Sequence, residues 1–284
     1  MRRVFTPLEP LRGWRKLAVH TWSPPRDPST YALVDVKMPA ALAYCERLRR
    51  ESGVHITVTH LVVKGVALAL AQFPQMNGIV SRGRIMLRDS VDIFMQVATD
   101  GGGELSGLKI GNADKKSVLE IAREAEERVA RIRLRRDRQV ERTKSLLDRV
   151  PARLLGRLMR TISYLTYDLD LDLSRFGVVK DEFGTAMVSN VGVFGIQAAF
   201  GPLVPFSRTP MAVLMGKVED RVVAENGRPV VKPMMTLAVT LDHRFMDGYH
   251  GGEMARICCE FVENPEHDIV APARAFAVVG RRGE

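Results

Sequence analysis

The sequence has little of what marks several protein classes. Three cysteines in 284 residues, two of them adjacent (Cys258, Cys259), make neither a disulfide framework nor a zinc-ligand spacing. That scarcity agrees with a reducing, cytoplasmic setting. The longest apolar run, Leu61 to Ala71, is interrupted by Lys64 and is far too short to cross a bilayer. The start, Met1-Arg2-Arg3-Val4-Phe5-Thr6-Pro7, lacks the apolar core of a secretory signal. No G-x-G-x-x-G or Walker pattern surrounds the glycines at 192 and 195, so a phosphate loop is not indicated. There is no internal repeat and no low-complexity linker.

What is present is uneven charge. The chain carries a formal net charge of +9. About fifteen Lys/Arg against seven Asp/Glu fall between Lys115 and Arg160. Such a segment attracts acidic partners, headgroups or phosphates, but a solvated helix face explains it as well. It lacks interleaved aromatics, which argues against nucleic acid.

The pattern along the chain interleaves helices and strands. Five prolines among the first thirty residues give an extended arm, which Trp14 and Trp22 would pin. Tyr31–Val36 alternates as a strand. Pro39 opens a helix ending near Gly53, and Thr57 caps a second over Val58–Phe73, apolar around most of its circumference. Strands are expected at Ile85–Leu87, Val91–Thr99 and Leu105–Ile110. A polar helix from Lys116 to about Leu147 and another from Pro151 follow. Strands at Thr185–Asn190, Ala212–Val218 and Met234–Leu241 lead to a last helix from Gly248 to Val262, stopped by Asn264-Pro265. This is an α+β or α/β domain of two layers.

The chemistry is concentrated where the apolar strand ending at Leu241 gives way to the last helix. Asp242-His243-Arg244-Phe245-Met246-Asp247-Gly248 sets a histidine at a rigid strand end, able to take a proton from a thiol near neutral pH. Asp247 can cap the helix or anchor an arginine. By itself a His-x-x-x-Asp spacing is weak evidence. His20, His55, His60, His250 and His267 read as core or surface residues, and Cys258 and Cys259 as small buried ones.

This stretch resembles the D-H-R-x-x-D-G signature of the acyltransferase components of 2-oxo acid dehydrogenase complexes. Val188-Ser189-Asn190-Val191-Gly192-Val193-Phe194-Gly195 is similar to that family's I-S-N-L-G-M-F-G segment. Val34-Asp35-Val36, Val91-Asp92-Ile93 and Gly111-Asn112-Ala113-Asp114-Lys115-Lys116-Ser117 match in the same order. The likeness runs from about Trp14 to Pro265. It implies a chloramphenicol-acetyltransferase-like α/β fold, a two-layer sandwich with a mixed sheet that trimerises. It further implies His243 as the base that deprotonates the thiol of coenzyme A or dihydrolipoamide, and Ser189 as the donor to the oxyanion. Asp247 takes the place of the family's second aspartate, and Asn190, Arg244 and Gly248 are substrate-binding candidates. No metal is implied. The sites would lie between subunits, Ser189 of one chain facing His243 of the next.

The resemblance gives one catalytic domain over residues 31–270, preceded by the arm (1–30) and followed by a tail (271–284). Roughly forty residues, 138–179, intervene where the family passes almost directly into the serine strand. Their amphipathic pattern, Leu154, Leu155, Leu158 and Met159 against Arg153, Arg157 and Arg160, is expected to pack on the core, with membrane contact the lesser alternative. No stretch reads as a lipoyl domain: Lys37 has an Asp nearby but only the arm before it, so a lipoyl group would come from a partner protein. The family's proline is missing in Ser106-Gly107-Leu108-Lys109-Ile110, and Pro202, Pro205 and Pro210 make an unusual loop before Met211. The leading expectation is a CoA-dependent acyltransferase acting on a thiol such as dihydrolipoamide. The alternatives are transfer to a hydroxyl or amine of a small molecule, or a scaffold of trimers or a larger cage.

Overall fold

The structure is a computed structural model that describes residues 28–99, 104–133 and 152–266. The expected N-terminal arm up to residue 27, the C-terminal tail, the end of the long polar helix and the first part of the insertion lie outside the described residues.

The chain enters as β1 (Ser29–Lys37) and then forms α1 (Pro39–Ser52). Pro39 supplies its preset φ at the first turn, and Gly53 ends the helix at φ 70° with its N–H on the Arg49 carbonyl. The next helix, α2 (Val58–Gln72), is the central one, with Leu61, Val62, Val63, Val66, Ala67 and Leu70 all buried. A hairpin follows, β2 (Gly78–Ser81) and β3 (Arg84–Leu87), and then β4 (Ile93–Thr99) and β5 (Glu104–Ile110). At the start of α3 (Val118–Arg133), Glu120 accepts from the Ser117 N–H at 2.7 Å, and Ser117 Oγ accepts from the Glu120 N–H at 3.2 Å. That reciprocal pair is a capping box. After α4 (Ala152–Ser163) and one π-helical turn (Tyr164–Asp168), the chain adds β6 (Ala186–Asn190) and β7 (Met211–Met215). It ends with β8 (Glu219–Glu225), β9 (Arg228–Asp242) and α5 (Gly248–Glu263).

Seven strands form one mixed sheet in the order β1-β9-β7-β6-β4-β5, with β8 on the early half of β9. Strands β4, β6 and β7 run parallel, and the others pair antiparallel. Alternation along each strand puts Val188, Val213 and Leu237 on one face, under α2 and α5. Each fully buried aliphatic side chain there contributes roughly 1.5–3 kcal/mol. The layers approach closely: a Cβ on Gly65 of α2 would lie 3.0 Å from Cys258 Sγ and 3.2 Å from its carbonyl oxygen on α5. On the opposite face Phe94 packs on Phe183 (4.9 Å) and Phe183 on Phe206 (5.7 Å). Loop residues after β6 lie there, with Gly201 against Leu214 and Phe200 edge-on to Tyr31 at 5.1 Å.

The mixed α/β, two-layer expectation therefore holds, and two strands were not anticipated. β2 pairs with β3 through Arg82-Gly83, both at positive φ (47° and 73°). β8 pairs with β9 through Asn226-Gly227, also positive (52° and 75°). Both are two-residue hairpin turns of the kind that matches strand twist. The strand expected to run to Val218 stops at Met215: Gly216 still donates to its in-register partner, the Thr236 carbonyl, but the Lys217 N–H leaves the ladder for the Ile196 carbonyl. Among the described residues no helix is long and apolar enough to cross a membrane.

Candidate functional site

The turn between β9 and α5 is fixed from three sides. The Asp242 N–H donates to the Pro210 carbonyl (2.9 Å) and the His243 N–H to the Pro28 carbonyl (2.8 Å). The Phe245 and Met246 amides then fold back onto the Asp242 carbonyl. Asp242 is 5 % exposed, and its carboxylate grips Arg244 through Nε and Nη2, the shortest contact being 2.6 Å. Arg244 is thus a buttress of the turn with a half-exposed side chain.

The His243 ring is exposed, and its Nδ1 lies 2.7 Å from the Met246 carbonyl oxygen. A carbonyl only accepts, so Nδ1 carries the proton. Nε2 is left with its lone pair outward, which is the tautomer a general base requires.

Asp247 does not touch His243. Its Oδ1 accepts the His250 backbone N–H at 3.0 Å, capping α5, and meets His250 Nδ1 at 2.7 Å. Those two bonds to His250 hold the Asp247 carboxyl below the usual carboxylate range. Its partner, His250, was read from sequence as a bystander. Gly248 opens α5 with nothing within 4 Å of a would-be Cβ, so that position has no packing need for glycine.

Ser189 and Asn190 sit at the end of β6 and point to opposite faces. Asn190 Nδ2 donates to Thr59 Oγ1 at the start of α2 (3.3 Å), on the helix side. Ser189 lies on the other face, in register with Leu214 and, through it, Ala238. His243 is five residues beyond Ala238 and two strands away. Strand geometry then separates the two side chains by roughly 15–20 Å within one chain.

Two open clefts flank these residues. One, about 920 Å³, is lined by Pro28, Val80, Leu203, Val204, Arg208, Thr209, Asp242, Arg244 and Phe245, beside the His243 turn. The other, about 1510 Å³, is lined by Asn190, Thr57, Thr59, His55, His60, Gln96 and Glu126 among others. In the second, His60 is 7 % exposed and its Nδ1 accepts the Thr57 N–H at 3.1 Å. Burial, reinforced by His55 and Arg49, pushes its pKa down to about 4.

Other candidates carry no such arrangement. Cys45 and Cys259 are pushed up to about 11 and Cys258 higher still, all mainly by burial, so they stay protonated thiols. Lys37 is paired with Met234 inside the β1–β9 ladder, not at a hairpin tip. Among the described residues no group of three or more His, Cys, Asp or Glu side chains is placed to hold a metal ion.

The model of the family described as 2-oxoacid dehydrogenases acyltransferase (catalytic domain) matches residues 9–145 and 180–270. The chain belongs to this family. The matched stretches include β6 with Ser189 and the His243 turn, whereas α4 and the π-helical turn fall in the unmatched residues between them. One relative is the succinyltransferase component of the mitochondrial 2-oxoglutarate dehydrogenase complex of Saccharomyces cerevisiae. It is 28 % identical over 241 residues, which is 84 % of this chain and 42 % of that protein. This chain thus spans about two fifths of the length of such curated relatives. Among solved structures, a probable dihydrolipoamide acetyltransferase of Listeria monocytogenes superposes with a TM-score of 0.64 at 22 % identity, covering 94 % of this chain and 98 % of that one. The Azotobacter vinelandii dihydrolipoamide acetyltransferase gives a TM-score of 0.62 at 19 % identity, covering 84 % and 83 %. Likeness at this level is likeness of fold. The Azotobacter structure was determined to examine a serine, a histidine and an asparagine four residues after that histidine in catalysis.

Proposed function

We propose that this chain transfers an acyl group between coenzyme A and a thiol acceptor such as dihydrolipoamide, with His243 as general base. The observation that carries the reading is the contact of His243 Nδ1 with the Met246 carbonyl, which leaves Nε2 free to take a proton, on a turn whose neighbouring residues Asp242, Arg244 and Phe245 line a cleft. In the reaction the acceptor thiol gives its proton to Nε2, and the thiolate attacks the thioester carbonyl. The tetrahedral oxyanion accepts a hydrogen bond from a Ser189 hydroxyl. Collapse expels the other thiolate, which recovers the proton from His243. Atoms and charge balance without a metal or an acyl-enzyme.

Ser189 and His243 of one chain are too far apart to act on one carbonyl. A second copy is therefore needed, and we take the working unit to be the homotrimer that the family resemblance implies, in which Ser189 of one copy meets His243 of the next. The sheet face opposite α2 and α5, with Tyr31, Leu33 and Phe200 largely exposed, supports such an assembly. A lipoyl group would be presented by a separate protein or domain. Asp247 acts at one remove: it fixes the start of α5 and hence the Met246 carbonyl that orients the imidazole.

The test is release of CoA thiol from a panel of acyl-CoAs with free dihydrolipoamide, comparing wild type with His243→Ala. Release that requires both His243 and the dithiol supports the reading. Equal release by the two proteins overturns it.

A further inference from the structure

Arg208 sits in the loop that walls the cleft beside His243, and it is held more firmly than a surface arginine has cause to be. Its backbone is left-handed, φ 53°, an uncommon conformation for a residue with a side chain. Its guanidinium is satisfied on three sides. Nε donates to Ser163 Oγ (3.2 Å), Nη1 to the Val80 carbonyl (3.0 Å) and Nη2 to Asp168 Oδ2 (2.6 Å). Asp168, with a side chain only 7 % exposed, spends its other oxygen on Ser81 Oγ (3.0 Å) and the Arg82 N–H (3.3 Å).

Two of these partners, Ser163 and Asp168, lie in the stretch between residues 145 and 180 that the family model does not match. Arg208 therefore clasps that stretch and the β2–β3 hairpin to the cleft wall. The link continues inward. Thr209 Oγ1 donates to the Gly184 carbonyl (3.2 Å), and the Pro210 carbonyl receives the Asp242 N–H, one residue before His243. A planar, five-donor fork spreads these bonds over three nitrogens, whereas lysine would have to make them all from one.

We propose that Arg208 is a positioning residue that ties the 152–180 segment to the wall of the substrate cleft, which Arg208 itself lines, and steadies the strand end carrying His243. The catalytic part of this proposal rests on the function proposed above, whereas the structural coupling does not. On this view the segment acts on access to one substrate and leaves proton transfer at Nε2 alone.

The experiment compares wild type with Arg208→Ala, Arg208→Lys and Asp170→Asn. The last removes an exposed ion pair of the same segment, Asp170 with Lys180, and serves as the control. Peptide-resolved hydrogen exchange is read over residues 160–170 and 241–246, and KM and kcat are measured for acyl-CoA and for dihydrolipoamide. Arg208→Ala is expected to speed exchange about tenfold or more in both peptides, as local opening replaces a fixed contact. It should raise KM for one substrate about tenfold while kcat stays within about threefold, the mark of altered binding rather than altered chemistry. Arg208→Lys should fall between, and Asp170→Asn should match wild type. Unchanged exchange at 241–246 in Arg208→Ala would overturn the coupling whatever the activity of the protein. Faster exchange at 241–246 with both KM values unchanged would overturn the effect on the cleft. Because exchange needs no turnover, failure of the acyltransfer reading is distinguishable from failure of this one.

Discussion

Acidification is expected to weaken this fold through one side chain, His60. The ring is buried at the first turn of α2, and its Nδ1 accepts the Thr57 N–H at 3.1 Å. Protonation would turn that acceptor into a donor facing a donor, in surroundings already made unfavourable by Arg49 and His55. The folded ring accordingly titrates near 4. In the unfolded chain a histidine titrates near 6.5. Above that value both states are neutral and nothing is lost. As pH falls below it the unfolded chain takes up a proton that the folded chain refuses, so stability declines, and the decline is complete once the folded ring titrates. The whole loss is about 3 kcal/mol, about 2 kcal/mol of it by about pH 5. The assay is urea denaturation at about pH 7.5 and pH 5 for wild type and His60→Gln. Glutamine at this position still accepts from the Thr57 amide, as in an ordinary capping box, but does not titrate. Wild type should lose about 2 kcal/mol more than the variant over this interval. The other histidines and the carboxylates titrate in both proteins and cancel. Equal losses would refute the assignment.

Three further outcomes are expected. Ser189→Ala should lower kcat about 100- to 1,000-fold with KM little changed, as for removal of one oxyanion donor, in the CoA-release assay. Gly216→Ala should destabilise by about 1–3 kcal/mol or prevent folding, read by thermal unfolding, because its Cβ would lie 1.8 Å from the Gln197 carbonyl oxygen and clash with backbone. Asp181→Asn should cost about 3–5 kcal/mol by denaturant titration, since Arg88, with a side chain 9 % exposed, would lose a two-pronged partner at 2.6 and 2.7 Å and keep a buried charge.

The elements that sequence reasoning placed well are those whose signal is local. Pro39 and Gly53 bracket α1, Thr57 precedes α2, and Asn264 ends α5, each through a backbone preference of one or two residues. The two missed strands, β2 and β8, also had a local signal, Arg82-Gly83 and Asn226-Gly227, but β2 is only four residues long and β8 has no buried residue. Their apolar alternation is faint, and the turn dipeptides were the better guide. The motif at 242–248 was legible as a strand-to-helix junction with a histidine at its rigid point. The carboxylate partners were not. Nothing in the spacing of Asp247 says that its carboxylate turns to His250 rather than towards His243, because both lie within reach of a residue at the helix start.

Long-range partners are illegible for a different reason: they depend on where the sheet order puts distant loops. Arg208 and Asp168 are 40 residues apart, and Ser81 is a further 87 away from Asp168. All three converge because β4, β6 and β7 run parallel, so that the loops leading into these strands gather at one end of the sheet. That end is also where β9, running antiparallel to β7, delivers Asp242 and His243. The opposite end receives Ser189 and Asn190. A parallel core thus sends the serine and the histidine of one chain to opposite ends of the same strands, whatever their spacing in the sequence. The proposed site is completed by a second copy for that topological reason. The same topology seats the unmatched segment at the histidine end, beside the cleft that Arg208 walls, and keeps it away from the serine end.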